Sequence, residues 1–239
     1  MLNGIQIIVN PKAELAQLLK EREKRNKERL FYRWFPDEGP LNRSLYPKHI
    51  EFIAATNNYT ECALISANQI GKTKTAGYFV AATATGDYPH WWPGKRWEHP
   101  IDVWCAGDTN ETVRNIIQDT LLGPPSEWGT GMIPAKFLKD VKKKSGSVAD
   151  AVESFEVEHV KGGVSRIALK AYEQKRKSFQ GTKKHLIWLD EEPPEDIYAE
   201  CFTRTANTDG IIICTFTPLN GISDIVLAFM EEEYGDHRE

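Results

Sequence analysis

The chain is poor in cysteine, with four in 239 residues: Cys62, Cys105, Cys201 and Cys214. None forms a C-x-x-C pair or lies at zinc-ligand spacing from histidine, so neither a metal knuckle nor a disulfide scaffold is encoded. Three of the four sit in or beside apolar runs, and buried free thiols are expected. Long hydrophobic runs are missing too. None approaches the roughly 18 residues that cross a bilayer, which excludes an integral membrane protein of the helical kind. The apolar patch at residues 5–9 has no basic flank before it and does not read as a signal peptide. Charge of one sign is also scarce: 30 Lys and Arg stand against 34 Asp and Glu, a net of -4. Such a surface does not coat nucleic acid nonspecifically, and only local basic clusters remain for phosphate contacts. Aromatics are plentiful. Seven Trp, eight Tyr and ten Phe rule out disorder of the whole chain. The length suits one domain of about 200 residues.

Asn10-Pro11 reads as an N-cap followed by proline at the first helical position. The helix is expected over residues 11–33, with Leu15, Leu18 and Leu19 on one face. Its second half, residues 20–29, carries six positive and three negative side chains. A solvated face held by i,i+4 pairs is the plain reading, and a docking surface for a partner or DNA the sharper one. Residues 35–47 read as a loop. Thereafter strands are expected at 62–65, 101–105, 185–189 and 210–214. Helices are expected at 72–84 and 109–122, after Pro194, and at 223–234. Residues 155–160 and 164–172 flank Gly162-Gly163 as a hairpin. Residues 86–100 form a long aromatic loop, and 136–150 a polar, Lys-rich, mobile surface segment. Strand-helix alternation of this kind predicts an α/β fold with a mainly parallel central sheet flanked by helices.

The most informative stretch is Ser66-Ala67-Asn68-Gln69-Ile70-Gly71-Lys72-Thr73. It follows a predicted strand, opens a predicted helix and matches a phosphate-binding loop, with Ser66 in place of the first glycine. Backbone N–H groups at the helix N-terminus point at phosphates, and Gly71 lets the backbone approach them. Lys72 reaches the β- and γ-phosphates of ATP, and the Thr73 hydroxyl is placed to ligate Mg²⁺. A second apolar strand ends in Asp190-Glu191-Glu192. That puts Asp190 at the carboxyl edge of the sheet, beside the phosphate loop, as a Mg²⁺ carboxylate, and Glu191 where it can activate water. An acidic helix N-terminus before Pro193-Pro194 is the alternative. A third strand runs into Thr215, Phe216 and Thr217. Its hydroxyls are candidates for sensing the γ-phosphate, against a plain Thr-Pro turn.

Together these strings, SANQIGKT, IWLDEEPP and CTFTPLNG in that order, resemble the ATPase domain of tailed-bacteriophage large terminase subunits. The resemblance covers residue 46 to the C-terminus. It implies a P-loop NTPase fold of the ASCE, RecA-like type, with residues 1–45 as an N-terminal helical and linker segment. It also implies Lys72 as phosphate ligand, Thr73 and Asp190 as Mg²⁺ residues, Glu191 as catalytic base and Thr215 to Thr217 as coupling element. Tyr46 resembles the family's adenine element in placement, whereas Phe52 reads as core. Some family members carry an arginine in the loop near the position of Asn68, and this sequence has none there. Another arginine must then act as finger. Arg114, Arg166, Arg176 and Arg204 are the candidates, with Arg176 and Arg204 presented in cis or by a neighbouring subunit.

The implied activity is Mg²⁺-dependent ATP hydrolysis that drives viral double-stranded DNA into a procapsid. The implied partners are DNA, portal protein, small terminase subunit and further copies in a ring, in the host cytoplasm at the portal. DNA-gripping candidates are the basic clusters at 142–144, 175–177 and 183–184. The family usually continues into a nuclease domain, for which 21 residues after Pro218 leave no room, so no nuclease activity is expected. The alternatives are a helicase-like ATPase, which normally has two such domains, and a docking module that binds nucleotide without turnover. A small-molecule P-loop kinase needs an arginine-rich lid that residues 193–207 do not supply.

Overall fold

The computed structural model describes residues 11–27, 30–146, 148–218, 221 and 223–234. Asn10 and the apolar patch at 5–9 lie outside them. Seven strands form one sheet in the order β1-β7-β6-β2-β5-β4-β3. They are β1 (Glu61–Ile65), β2 (Asp102–Gly107), β3 (Leu138–Lys143), β4 (Val152–Glu158), β5 (Val164–Ala171), β6 (Leu186–Asp190) and β7 (Ile211–Phe216). The pairs β1–β7, β7–β6, β6–β2 and β2–β5 are parallel. The hairpin β4–β5 and the pair β3–β4 are antiparallel. β6 and β7 are buried along their whole length because helices cover both faces there, and their sequences are correspondingly apolar. β1 is an edge strand, and its burial alternates.

Period-two alternation sorts the side chains onto two cores. Leu186, Trp188, Ile211 and Ile213 face α2 (Pro47–Ala55) and α3 (Lys72–Thr85). Ile187, Leu189, Ile212, Cys214 and Phe216 face α6 (Glu195–Thr205) and α7 (Asp224–Tyr234). All four cysteines are buried free thiols. The first core extends upstream of residue 46: Phe31 and Phe35 are buried in it, and Phe31 stacks on Tyr78 at 4.8 Å. The aromatic loop is packed rather than free, with Trp92 and Trp97 buried and Trp91 parallel to Tyr78 at 6.3 Å.

Three expectations need correction, and one helix carries no expectation from the sequence. The first helix, α1, runs over Pro11–Lys27 rather than to residue 33. Phe31–Arg33 forms a separate 3-10 turn that inserts Phe31 into the core. Leu15, Leu18 and Leu19 on α1 are more than half exposed. The segment 47–55 is the helix α2, for which Pro47 at the first turn is a start signal. The helix at 109–122 is three segments, α4 (Asn110–Thr112), a π-wound stretch over Val113–Gln118 and α5 (Asp119–Leu122). Finally, the polar segment at 136–150 contains β3. Its apolar residues Leu138 and Val141 are three apart, which breaks strand periodicity. The register shows why: Leu138 pairs with Val157 and Val141 with Phe155, so a bulge adds one residue to β3. The lysines blunt this edge, and three are neutralised: Lys139 by Glu158 at 2.5 Å, Lys142 by Glu153 at 3.0 Å and Lys143 by Asp150 at 2.8 Å.

The starts of the central strands β2 and β6 carry a pH-sensitive contact. His185 Nδ1 accepts the Asp102 amide at 3.1 Å. Burial first, then the neighbouring His99, holds the imidazole below its ordinary range. The unfolded chain binds that proton near pH ~6.5 while the folded one resists it, so this contribution is present above that pH and lost as pH falls through it. His185→Asn, which keeps an acceptor but does not titrate, is therefore expected to lose less stability than wild type between pH 7.5 and 5, read as the difference between their thermal melts; the buried Asp190 carboxyl, held above its ordinary range, works the other way equally in both.

Candidate active site

β1 ends at Ile65 and α3 begins at Lys72, so the intervening residues make the loop that the motif requires. Gly71 has φ +93° and Gln69 φ +66°, which make the sharp entry to the helix. Ser66 is not among the residues of positive φ, which explains why this position does without glycine. α2 supports the loop from below: His49 Nε2 lies 2.9 Å from the Ile70 carbonyl. Sequence reading missed His49, since nothing in the motif marks its support.

Lys72 is buried at the start of α3. Its Nζ donates to the carbonyls of Ser66 at 3.0 Å and Ala67 at 2.8 Å, and to Thr217 Oγ1 at 2.8 Å. Burial lowers its pKa, and the charges of Glu191 and Asp190 oppose that shift. Thr217 Oγ1 also lies 2.7 Å from Asn68 Oδ1 and 2.9 Å from the Ser66 carbonyl, so its proton serves one acceptor at a time. Asn68, which stands where some proteins with this loop carry an arginine, ties the loop to the end of β7 through Thr217.

Asp190 closes β6 and is buried. Its Oδ1 accepts from Thr73 Oγ1 at 3.1 Å and from Thr215 Oγ1 at 2.6 Å. Thr215 in turn accepts from Trp188 Nε1 at 2.8 Å. Burial pushes the carboxyl up to about 6, against the pull of the Thr215 and Thr73 hydroxyls. Thr73 and Asp190 are hard oxygen donors within contact of each other, which suits Mg²⁺ completed by phosphate oxygens and water. Among the described residues no cluster of three or more His, Cys, Asp or Glu is placed to hold a metal unaided.

Glu191 follows in a left-handed conformation, φ +64°. Its amide donates to the Thr215 carbonyl at 2.9 Å. Burial raises its pKa; Lys72 lowers it and Asp108 raises it further. Asp108, just past the end of β2, is thus a third carboxylate at this edge that the motifs did not flag. The tertiary arrangement also separates the two motif strands. β7 lies between β1 and β6, so the third motif bridges the other two. Thr215 holds the acidic strand, Thr217 holds the phosphate loop, and Phe216 points into the opposite core by alternation.

Tyr46 lines a cavity of about 430 Å³ with Trp34, Phe35, Leu41, His49, Gln69, Ile70, Gly71 and Thr75. The cavity adjoins the phosphate loop, and aromatic walls of this kind suit a planar base. Phe52 is a core residue, as expected. The four candidate arginines take other partners. Arg176 Nε pairs with Glu200 at 3.0 Å, and Arg204 pairs with the other Glu200 oxygen at 2.7 Å. Arg166 pairs with Glu156 at 3.0 Å, and Arg114 donates to Asn115 at 2.6 Å. In the described contacts none of the four bonds to Lys72, Asp190 or Glu191.

Comparison with known proteins adds a family. A model of the N-terminal part of T4likevirus-type terminase large subunits matches residues 64–236. The terminase large subunit of Salmonella phage P22 is 37% identical over 238 residues, covering 91% of this chain and 46% of that protein. The chain thus spans about half the length of this curated relative. Among solved structures, the large terminase of a thermophilic bacteriophage gives a TM-score of 0.47 at 15% identity, covering 80% of this chain and 38% of that one. The complex of that terminase with ADP gives 0.46 at the same identity and coverage.

Proposed function

This chain belongs to the terminase large-subunit family, matching the model of that family's N-terminal part over residues 64–236, and from that premise we propose that it hydrolyses ATP with Mg²⁺ to drive viral double-stranded DNA into a procapsid. The observation that carries the reading is the convergence at Asp190. The helix-opening Thr73 and the β7 hydroxyl Thr215 both bond one carboxylate oxygen. Phosphate loop, acidic strand and coupling strand thus meet at one point.

In the proposed reaction the loop amides and Lys72 bind the phosphates, and Lys72 gives up Ser66, Ala67 and Thr217 as partners to do so. Thr73 and Asp190 would hold Mg²⁺, which would supply charge neutralisation to the phosphates. Glu191, a stronger base than an exposed carboxylate, accepts the proton of the attacking water. The base of ATP lies against Tyr46 in the aromatic cavity. Thr217, bonded to Lys72, senses the phosphate state and passes it into β7.

The proposed partners are double-stranded DNA, portal protein, small terminase subunit and further copies of the chain in a ring, in the host cytoplasm at the portal. Among the described residues no helix is long and apolar enough to cross a membrane. Arg176 and Arg204, both paired with Glu200 rather than with the site carboxylates, are the candidates to act on a neighbour's site. Specific ATPase activity is therefore expected to rise with protein concentration and to vanish with EDTA. A rate independent of concentration overturns the shared-site part of the proposal. Activity unaffected by EDTA overturns the role given to Thr73 and Asp190.

A further inference from the structure

We infer that Tyr172 is a positioning residue whose hydroxyl sets the direction of the Glu191 side chain; the inference rests on reading Glu191 as the base. Strand alternation alone works against that base. Asp190 lies on the α3 side of the sheet with Trp188, so a regular strand sends residue 191 to the α6 side, with Ile187 and Leu189. The left-handed backbone at Glu191 breaks that alternation. It leaves the carboxylate within electrostatic reach of Lys72 and Asp108 at the catalytic edge.

A glutamate does not hold this conformation unaided, because its Cβ crowds the backbone there. Two contacts pin the bend. The Glu191 amide donates to the Thr215 carbonyl at 2.9 Å, from the β7 side. From the other core, the Tyr172 hydroxyl lies 3.1 Å from both the Asp190 and the Glu191 carbonyl oxygens. A single donor shared by consecutive carbonyls requires that they converge, as they do in a turn and do not in an extended strand. Tyr172 is well placed to hold them. It follows β5 directly, its ring is buried in the second core beside Phe179, and its own carbonyl accepts the Lys175 amide at 2.8 Å. The ring fills the core, and the hydroxyl is spent on the Glu191 turn.

The test is steady-state ATP hydrolysis by the full chain carrying Tyr172→Phe, Glu191→Gln or both. Tyr172→Phe is expected to lower kcat about tenfold, the worth of one hydrogen bond, with KM for ATP within about twofold of wild type. In the Glu191→Gln background the same change is expected to cost nothing more, because there is no base left to aim. A purely packing role predicts an equal loss in both backgrounds, with a shifted KM, and overturns the inference. Tyr172→His is the second variant, for the case in which Tyr172→Phe loses the fold. Its shorter ring does not reach both carbonyls, and the same fall in kcat at constant KM is expected. Wild-type kcat in either folded variant, with turnover lost in Glu191→Gln, overturns the inference alone. Turnover that survives Glu191→Gln overturns the base assignment and this inference with it.

Discussion

Glu191→Gln is expected to lower ATP turnover by about 10³-fold while leaving nucleotide affinity within about twofold. General-base catalysis contributes about 10²–10⁴ in rate, and glutamine keeps the shape but takes no proton. Affinity is expected to hold because the phosphate contacts belong to other groups, Lys72 and the loop before α3. The substitution also removes a charge that faces Lys72 and Asp108. Removing a negative charge from this edge favours an incoming polyphosphate, so this change costs no affinity. Single-turnover hydrolysis beside titration with a fluorescent ADP analogue separates the two effects. A rate that falls only with weakened binding, recovering at saturating ATP, assigns Glu191 to binding instead.

Lys72→Ala is expected to act on the other quantity. Nucleotide affinity should fall by about 100-fold or more, since one charge-assisted phosphate contact is worth about 1.5–3 kcal/mol and Lys72 is placed to make more than one. The loop suffers as well. The carbonyls of Ser66 and Ala67 lose their donor, and Thr217 loses its bond to the helix start. Lys72→Arg keeps the charge but replaces a compact ammonium with a wide planar fork in a buried slot. It is expected to restore little of the binding. Calorimetric titration with ADP and Mg²⁺ checks both variants. Full affinity in Lys72→Ala removes the loop from the nucleotide site.

The two expected results divide binding from chemistry along the line that the tertiary structure draws. Lys72 and Thr73 sit on the helix after the edge strand β1, whereas Asp190 and Glu191 end β6, with β7 between. Thr215 near the end of β7 and Thr217 just past it are next-but-one neighbours, and each reaches a different motif. Hydroxyls at a strand end made this strand a candidate for coupling. Its division into one residue that steadies the carboxylate and one that touches the phosphate loop was not. That division depends on strand order, which no local pattern encodes.

Local patterns in the chain were enough to specify the parallel α/β fold, the phosphate loop and the acidic strand. Apolar runs, a glycine before a helix and carboxylates after a strand are local signals, and local sterics and hydrogen bonding enforce them. The same patterns did not reveal β3, because a bulge sets Leu138 and Val141 three apart and hides the strand's period. They did not reveal His49, Asp108 or Tyr172 as neighbours of the site, because each arrives from a separate element. Folding in three dimensions brought Trp34, Phe35 and Tyr46 against the phosphate loop and drew Arg176 and Arg204 to Glu200. It also turned Glu191 left-handed under the Tyr172 hydroxyl. Contacts between distant segments are decided by how the layers pack, and packing is settled by the whole chain at once.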